Sequence, residues 1–334
     1  MARRAASKVK YWVGFDLGGT KMVAAVFGPK FKLVAQARRK TKGFEGSKAG
    51  VARVIETIEM ALRDGGISPR DLGGIGIGSP GPLDLNKGLI LDTPNLGWKR
   101  VALRDRVAGR FGRPVALAND VDAGTYGEYR RGAARGARCA VGVFLGTGIG
   151  GGCVYEGKLL RGRTGSCFEI GHCRVLPEGP LCGCGRRGCL EAVAGRLAIS
   201  AAALCAAYRG EAPRLLKENG GMDLAGVRSS VLAAAVNGGD RAVERVVREA
   251  ARWVGAGVAT AVNLVAPDVV VLGGGLVTAM PDLFVEEVED AARRAVMPTF
   301  RDAFRVEVAR LGDRATVVGA AALVQDMVEG AGNG

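Results

Sequence analysis

Apolar positions along the chain follow two periods. Short runs rich in valine, isoleucine and glycine recur at Val13-Gly-Phe-Asp-Leu, Gly74-Ile-Gly-Ile-Gly, Val141-Gly-Val-Phe-Leu and Val269-Val-Val-Leu, each leading into a glycine turn. Runs of this kind, bounded by glycine, read as buried strands. Between them a helical spacing predicts helices over 50–64, 103–111, 190–208, 240–265 and 282–295, with a last one near 315–328. Asp240 stands where a side chain caps the long helix, and Pro267 stops it. Strands alternating with helices predict an α/β architecture.

The pattern also repeats. Val13-Gly14, Leu17-Gly18, Val26 and Lys30 return as Val141-Gly142, Leu145-Gly146, Val154 and Lys158, each pair 128 positions apart. Both segments read strand, glycine turn, strand. Duplication of one unit predicts two related lobes, each presenting a glycine turn; chance similarity of two glycine-rich hairpins is the competing explanation.

Each turn has the chemistry of a phosphate cradle. In Asp16-Leu-Gly18-Gly19-Thr20-Lys21 the glycines permit positive φ and close approach of backbone N–H groups to an anion, and Thr20 adds a hydroxyl donor. Asp16 is placed to hold Mg²⁺, which favours a few carboxylates together with phosphate oxygens. Leu145-Gly146-Thr147-Gly148 is the counterpart. Neither turn has the spacing of a Walker A loop, and a strand rather than a helix follows each, unlike a dinucleotide fingerprint. Gly273-Gly274-Gly275 ends a strand and precedes a helix, a flat ledge suited to a nucleoside.

Composition narrows the class. The chain has 334 residues, 48% hydrophobic and 24% charged, with no run of eighteen apolar residues. Its N-terminus lacks the apolar core of a signal peptide, so a cytoplasmic protein without membrane attachment is expected. The net charge of +14 fits a polyanionic partner or arginines spread over solvated surface; without an aromatic-interleaved basic cluster, no nucleic-acid partner is expected.

Two groups carry candidate chemistry. Asn119-Asp120 follows the apolar Val115-Ala-Leu, at the C-terminal end of a predicted strand, where α/β folds bind ligands. An aspartate there can take the proton of an attacking alcohol; a helix N-cap is the competing role. Cys182, Cys184 and Cys189 lie close to His172, the single histidine of the chain. Together they make a Cys₃His set suited to tetrahedral Zn²⁺, with Cys167 and Cys173 as rivals for the fourth position.

These residues resemble the ROK family of sugar kinases and transcription factors, from Asp16 to about Gly319. The resemblance rests on the two glycine turns, Gly78-Ser-Pro-Gly-Pro-Leu-Asp84, Pro94-Asn95-Leu-Gly-Trp98, Asn119-Asp120, Glu169-Ile-Gly-His172 and Cys182-Gly-Cys-Gly-Arg-Arg-Gly-Cys-Leu-Glu191. It implies the actin-like, hexokinase-type fold, a duplicated ribonuclease H-like architecture of two lobes around a central cleft. The lobes would be 1–118, joined by a C-terminal helix over 314–334, and 119–313, with a zinc-binding loop over 172–189. It further implies Asp120 as the base acting on a sugar 6-hydroxyl, with Asn95, Asn119, Glu169, His172 and Glu191 hydrogen-bonding the pyranose.

ATP is the expected donor, with polyphosphate the alternative that the basic charge balance admits. Glucose is the expected acceptor, ahead of N-acetylglucosamine, N-acetylmannosamine, fructose and mannose, and a homodimer is expected. The family's repressors place a helix-turn-helix ahead of the first turn, and the fifteen residues before Asp16 leave no room for one. Three positions depart from the family pattern: Ala118 and Asp122 flank the Asn-Asp pair where an acidic residue and an asparagine are usual, and Phe168 replaces a glycine.

Overall fold

The first hairpin pattern forms β1 (Tyr11–Leu17) and β2 (Lys21–Phe27), paired antiparallel across the glycine turn. The computed structural model describes residues 11–93, 96–163, 165 and 167–331, grouped into two units. Unit 1 comprises residues 1–132, 159–167 and 313–334, and unit 2 comprises 133–158 and 168–312. In unit 1, β3 (Leu33–Lys40), α1 (Ser47–Asp64) and β4 (Leu72–Ser79) follow the hairpin. A small sheet of β5 (Leu83–Asp84), β6 (Leu89–Thr93) and β7 (Trp98–Val101) precedes α2 (Leu103–Phe111), β8 (Val115–Asn119) and α3 (Asp120–Arg131).

Unit 2 begins with β9 (Cys139–Leu145), β10 (Ile149–Tyr155) and β11 (Lys158–Leu159). Then come α4 (Leu190–Ala194), α5 (Arg196–Tyr208), α6 (Pro213–Asn219), α7 (Ser229–Asn237) and α8 (Arg241–Val265). It ends with β12 (Val269–Gly273), α9 (Gly275–Ala279), α10 (Pro281–Ala295) and β13 (Arg305–Val308), after which α11 (Ala315–Gly330) returns to unit 1.

The internal repeat survives as topology. One sheet has the order β3-β2-β1-β4-β8 and the other β11-β10-β9-β12-β13. In each, a central strand has an antiparallel hairpin partner on one side and two parallel strands on the other. The bounds of β9 and β10 are those of β1 and β2 shifted by the same 128 positions. Each sheet has its own core: Val13, Phe15, Leu17, Met22 and Ile75 are fully buried in unit 1, and Val141, Val143, Leu145 and Leu272 in unit 2.

Glycines let α11 lie on the first sheet with backbone against backbone. A Cβ on Gly14 would sit 1.8 Å from the carbonyl oxygen of Val317, and one on Gly76 1.7 Å from that of Ala320. The side chains of Tyr126 and Arg130 on α3 both reach Asp326 on α11. This packing holds the start of α3 against the end of β4.

Two expectations about helices need correction. The apolar stretch 190–208 is broken at Gly195 into α4 and α5, because Gly195 packs against the carbonyls of Glu191 and Thr147. Leu190–Tyr208 is apolar enough to cross a membrane, but half of it is buried. Asp240 precedes α8 without capping it. Its carboxylate accepts from the amides of Arg214 (3.3 Å) and Leu215 (2.7 Å), at the start of α6 instead.

Candidate active site

In unit 1 the turn between β1 and β2 is anchored by a residue with no motif of its own. Thr41, fully buried, donates its hydroxyl to Gly18 O (2.6 Å) and its amide to Thr20 O (2.9 Å). Two carbonyls of the turn are therefore occupied, and a turn left to bond through its N–H groups suits an anion. Lys21 ends the turn and pairs with Asp313 at 3.1 Å, just ahead of α11.

Asp16 sits at the end of β1 among like charges. Burial first, then the carboxylates of Asp120 and Asp313, against an opposing pull from Lys21, push it up from 3.8 to about 7. A cation among these carboxylates removes that penalty, which is the electrostatic condition for a divalent metal. The folded pKa lies above the unfolded one, so between those values the folded state binds more protons and stability declines as pH rises. Asp16→Asn should consequently stabilise the metal-free protein by up to about 4 kcal/mol at pH 8, at about 1.4 kcal/mol per unit, and by almost nothing at pH 4. Urea unfolding at both pH values checks this. An equal effect at the two, or a loss at pH 8, contradicts a strained Asp16.

At the end of β8 the two competing roles separate. Asn119 is the N-cap of α3: its Oδ1 accepts from the amides of Val121 (2.8 Å) and Asp122 (3.2 Å). Asp120 is the first residue of the helix and only partly buried, its Oδ1 accepting from Val121 N at 3.0 Å. Thr316 on α11 donates its hydroxyl to Asp120 O at 3.3 Å. Asp122, by contrast, is 2% exposed. Of the two carboxylates, Asp120 is the one that is not buried, and its charge acts on Asp16.

Unit 2 builds its turn with different partners. Gly146 N donates to Gly148 O at 2.9 Å, while the carbonyls of Gly146 and Thr147 accept from Arg196 N and Leu197 N at the start of α5. The Arg196 guanidinium donates to Thr147 Oγ1 (2.9 Å) and to Val227 O (3.1 Å). It thus adds a fixed positive charge beside the turn, a feature with no signal in the sequence. The Gly273–Gly275 ledge lies against the same turn: Gly274 has φ +87°, and a Cβ there would sit 2.3 Å from Leu145 O.

Glu191 links this turn to the cysteine loop. Its Oε2 accepts from Ile149 N at 3.0 Å, and a Cβ on Gly148 would lie 1.9 Å from that oxygen, so a side chain there would push the Glu191 carboxylate away. Its Oε1 accepts from Cys182 Sγ at 3.7 Å. Glu169 is exposed at the start of the short 3₁₀ turn Ile170–His172. Phe168 before it has φ +64°, the left-handed region where glycine is at no disadvantage, which explains the family's preference at that position. Asn95 lies outside the described residues.

The residues His172, Cys182, Cys184 and Cys189 come together, with one ligand atom of each within 4.8 Å of the others. Cys184 Sγ and Cys189 Sγ are 3.6 Å apart, and Cys182 Sγ is 3.7 Å from His172 Nδ1. A tetrahedral ion with bonds of about 2.0–2.3 Å spaces its ligands by roughly 3.3–3.8 Å, so these two pairs stand at zinc spacing and the donor set suits that ion. Burial pushes the Cys182 thiol up to about 12 and raises Cys189 too, while a bond from the Arg186 backbone lowers Cys184. Three thiolates can coexist there only with a cation among them. The rival Cys167 instead donates to Leu160 O in unit 1.

The sequence profile of the ROK family matches residues 12–327. A glucokinase of Thermotoga maritima is 36% identical over 326 residues, covering 95% of this chain and 98% of its own. A ROK hexokinase of Thermus thermophilus has a similar structure, with a TM-score of 0.80 at 37% identity, over 96% of this chain and 99% of that one. A ROK family glucokinase of Streptomyces griseus, solved in complex with glucose and AMPPNP, gives a TM-score of 0.82 at 33% identity, over 95% and 99%. With a duplicated α/β topology and a whole-chain match, this protein belongs to the ROK family and has its actin-like fold.

Proposed function

We propose that the protein is an ATP-dependent hexokinase that transfers the γ-phosphoryl group of ATP to the 6-hydroxyl of glucose. The observation that carries this is the whole-chain likeness to a glucokinase solved with glucose and a non-hydrolysable ATP analogue. Phosphoryl transfer asks the protein mainly to position the reactants and balance charge. The amides of Gly18, Gly19 and Thr20, with Lys21, and those of Thr147 and Gly148, with Arg196, supply donors and positive charge for the phosphates, while Gly146 shapes the second turn through its bond to Gly148 O. Gly273–Gly275 offers the nucleoside a surface without side chains.

Asp16 would hold Mg²⁺, which when bound neutralises phosphate charge. Asp120 accepts the proton of the sugar hydroxyl as the new P–O bond forms. Asn95, Glu169 and His172 bind the sugar hydroxyls, and Asn119 contributes its amide nitrogen, since its oxygen is committed to the cap. Glu191 is held to the second glycine turn by the amide of Ile149 and offers its other carboxylate oxygen to the sugar. Zinc held by His172, Cys182, Cys184 and Cys189 would supply a structural tie, with His172 Nδ1 toward the sulfurs and Nε2 left for a hydroxyl. A homodimer belongs to the same proposal.

Competition kinetics over glucose, mannose, fructose, N-acetylglucosamine and N-acetylmannosamine test the substrate. Glucose should have the highest kcat/KM. Another hexose exceeding it by about tenfold, a difference of 1.4 kcal/mol in transition-state binding, overturns the choice of sugar while leaving the kinase reading intact.

A further inference from the structure

We propose that the cysteine loop of unit 2 also carries a phosphate-anion site, formed by Arg174, Arg186 and Arg187 beside His172. These residues and Cys189 line a cavity of about 550 Å³ with no carboxylate in its wall. Two of the three arginines are held by neutral groups. Arg174 donates through Nε (3.2 Å) and Nη2 (2.6 Å) to Pro177 O, and Arg187 Nη1 donates to Gly179 O at 3.5 Å. A backbone carbonyl orients a guanidinium without cancelling its charge.

The acidic group near Arg174 is Glu178, 3.9 Å away and 92% exposed, a pair too solvated to neutralise it. Arg186 and Arg187 make no ion pair among the described residues. Three guanidiniums lining one cavity give it a positive wall that favours an anion. Tetrahedral oxyanions such as phosphate, with several charged oxygens, match such forked donors better than the spherical chloride ion does.

None of the three arginines belongs to the proposed phosphoryl-transfer machinery. His172 lines the cavity and also belongs to the Cys₃His set, so an occupant here would bear on the same loop that carries the sugar-binding groups. The ligand class is a phosphate oxyanion, free or as a simple phosphomonoester.

Calorimetric titration of the holoenzyme with inorganic phosphate and, separately, glycerol 3-phosphate tests this, at constant ionic strength in chloride buffer. Saturating glucose and AMPPNP are included to block the active site. One equivalent of anion should bind, and Arg186→Gln/Arg187→Gln should weaken it at least about tenfold, as expected for loss of charge-assisted bonds. Tighter binding of the ester identifies a phosphomonoester site, and equal or weaker binding a free-phosphate site. The double variant should keep its metal content and its kcat without added phosphate. If it loses metal, Arg174→Gln takes its place with the same expected loss of affinity. No binding under these conditions, or binding unchanged in the arginine variants, overturns the proposal.

Discussion

Asp120→Asn should lower kcat by at least about 10²-fold and leave glucose binding within a few fold of wild type. General-base contributions are typically about 10²–10⁴-fold. The asparagine keeps the shape of the side chain and its acceptor oxygen for Val121 N, so α3 should start where it does now. The cap itself belongs to Asn119, and the substitution does not touch it. A fall in kcat with sugar affinity retained marks an interaction made chiefly in the transition state. Steady-state kinetics beside direct glucose titration of the folded variant measures both. Retention of more than about a tenth of kcat removes Asp120 from the role. Asp122 is a poor substitute, since it is buried within α3.

The second large effect concerns the cysteine loop. Cys184→Ser should reduce bound zinc from one equivalent per chain to a small fraction and raise KM for glucose at least about tenfold, the scale seen when a metal site loses its supporting contacts. The consequence should extend to the nucleotide, because Glu191, two residues after the ligand Cys189, accepts from the amide of Ile149 at the edge of the second glycine turn. KM for ATP should rise as well, by a smaller factor. Metal analysis by plasma emission and kinetics with each substrate varied in turn check this. A variant that keeps one zinc per chain, or loses zinc with both KM values unchanged, contradicts a zinc tie on the sugar loop.

How far the sequence carries the fold is clearest at the two hairpins. Their apolar runs and glycine turns are local features, and the constant offset between them reappears as two sheets of the same strand order. The Cys₃His set was legible for the same reason: clustered ligands with glycines between them can hardly avoid one another. What stayed hidden depends on contacts between distant positions. Thr41 anchors Gly18 from 23 residues away, and Arg196 reaches Thr147 across 49. Neither has a spacing that marks it.

Asp240 shows the opposite failure, a residue in the right place for a cap whose carboxylate is drawn to the neighbouring helix start. The break at Gly195 was hidden because apolar residues continue on both sides of it, and the turn packed against it excludes a continuous helix. At Asp120 the sequence left the helix cap and the general base as competing roles. Side-chain geometry assigns the cap to Asn119, and that assignment makes Asp120 available for chemistry.

The most direct test of the central claim is to follow MgATP and glucose with the wild-type protein by phosphorus NMR. The expected result is one phosphomonoester, on the 6-oxygen of glucose, appearing in step with ADP and lost in Asp120→Asn. ADP accompanied only by inorganic phosphate, or a phosphoryl group on another hydroxyl, would contradict it.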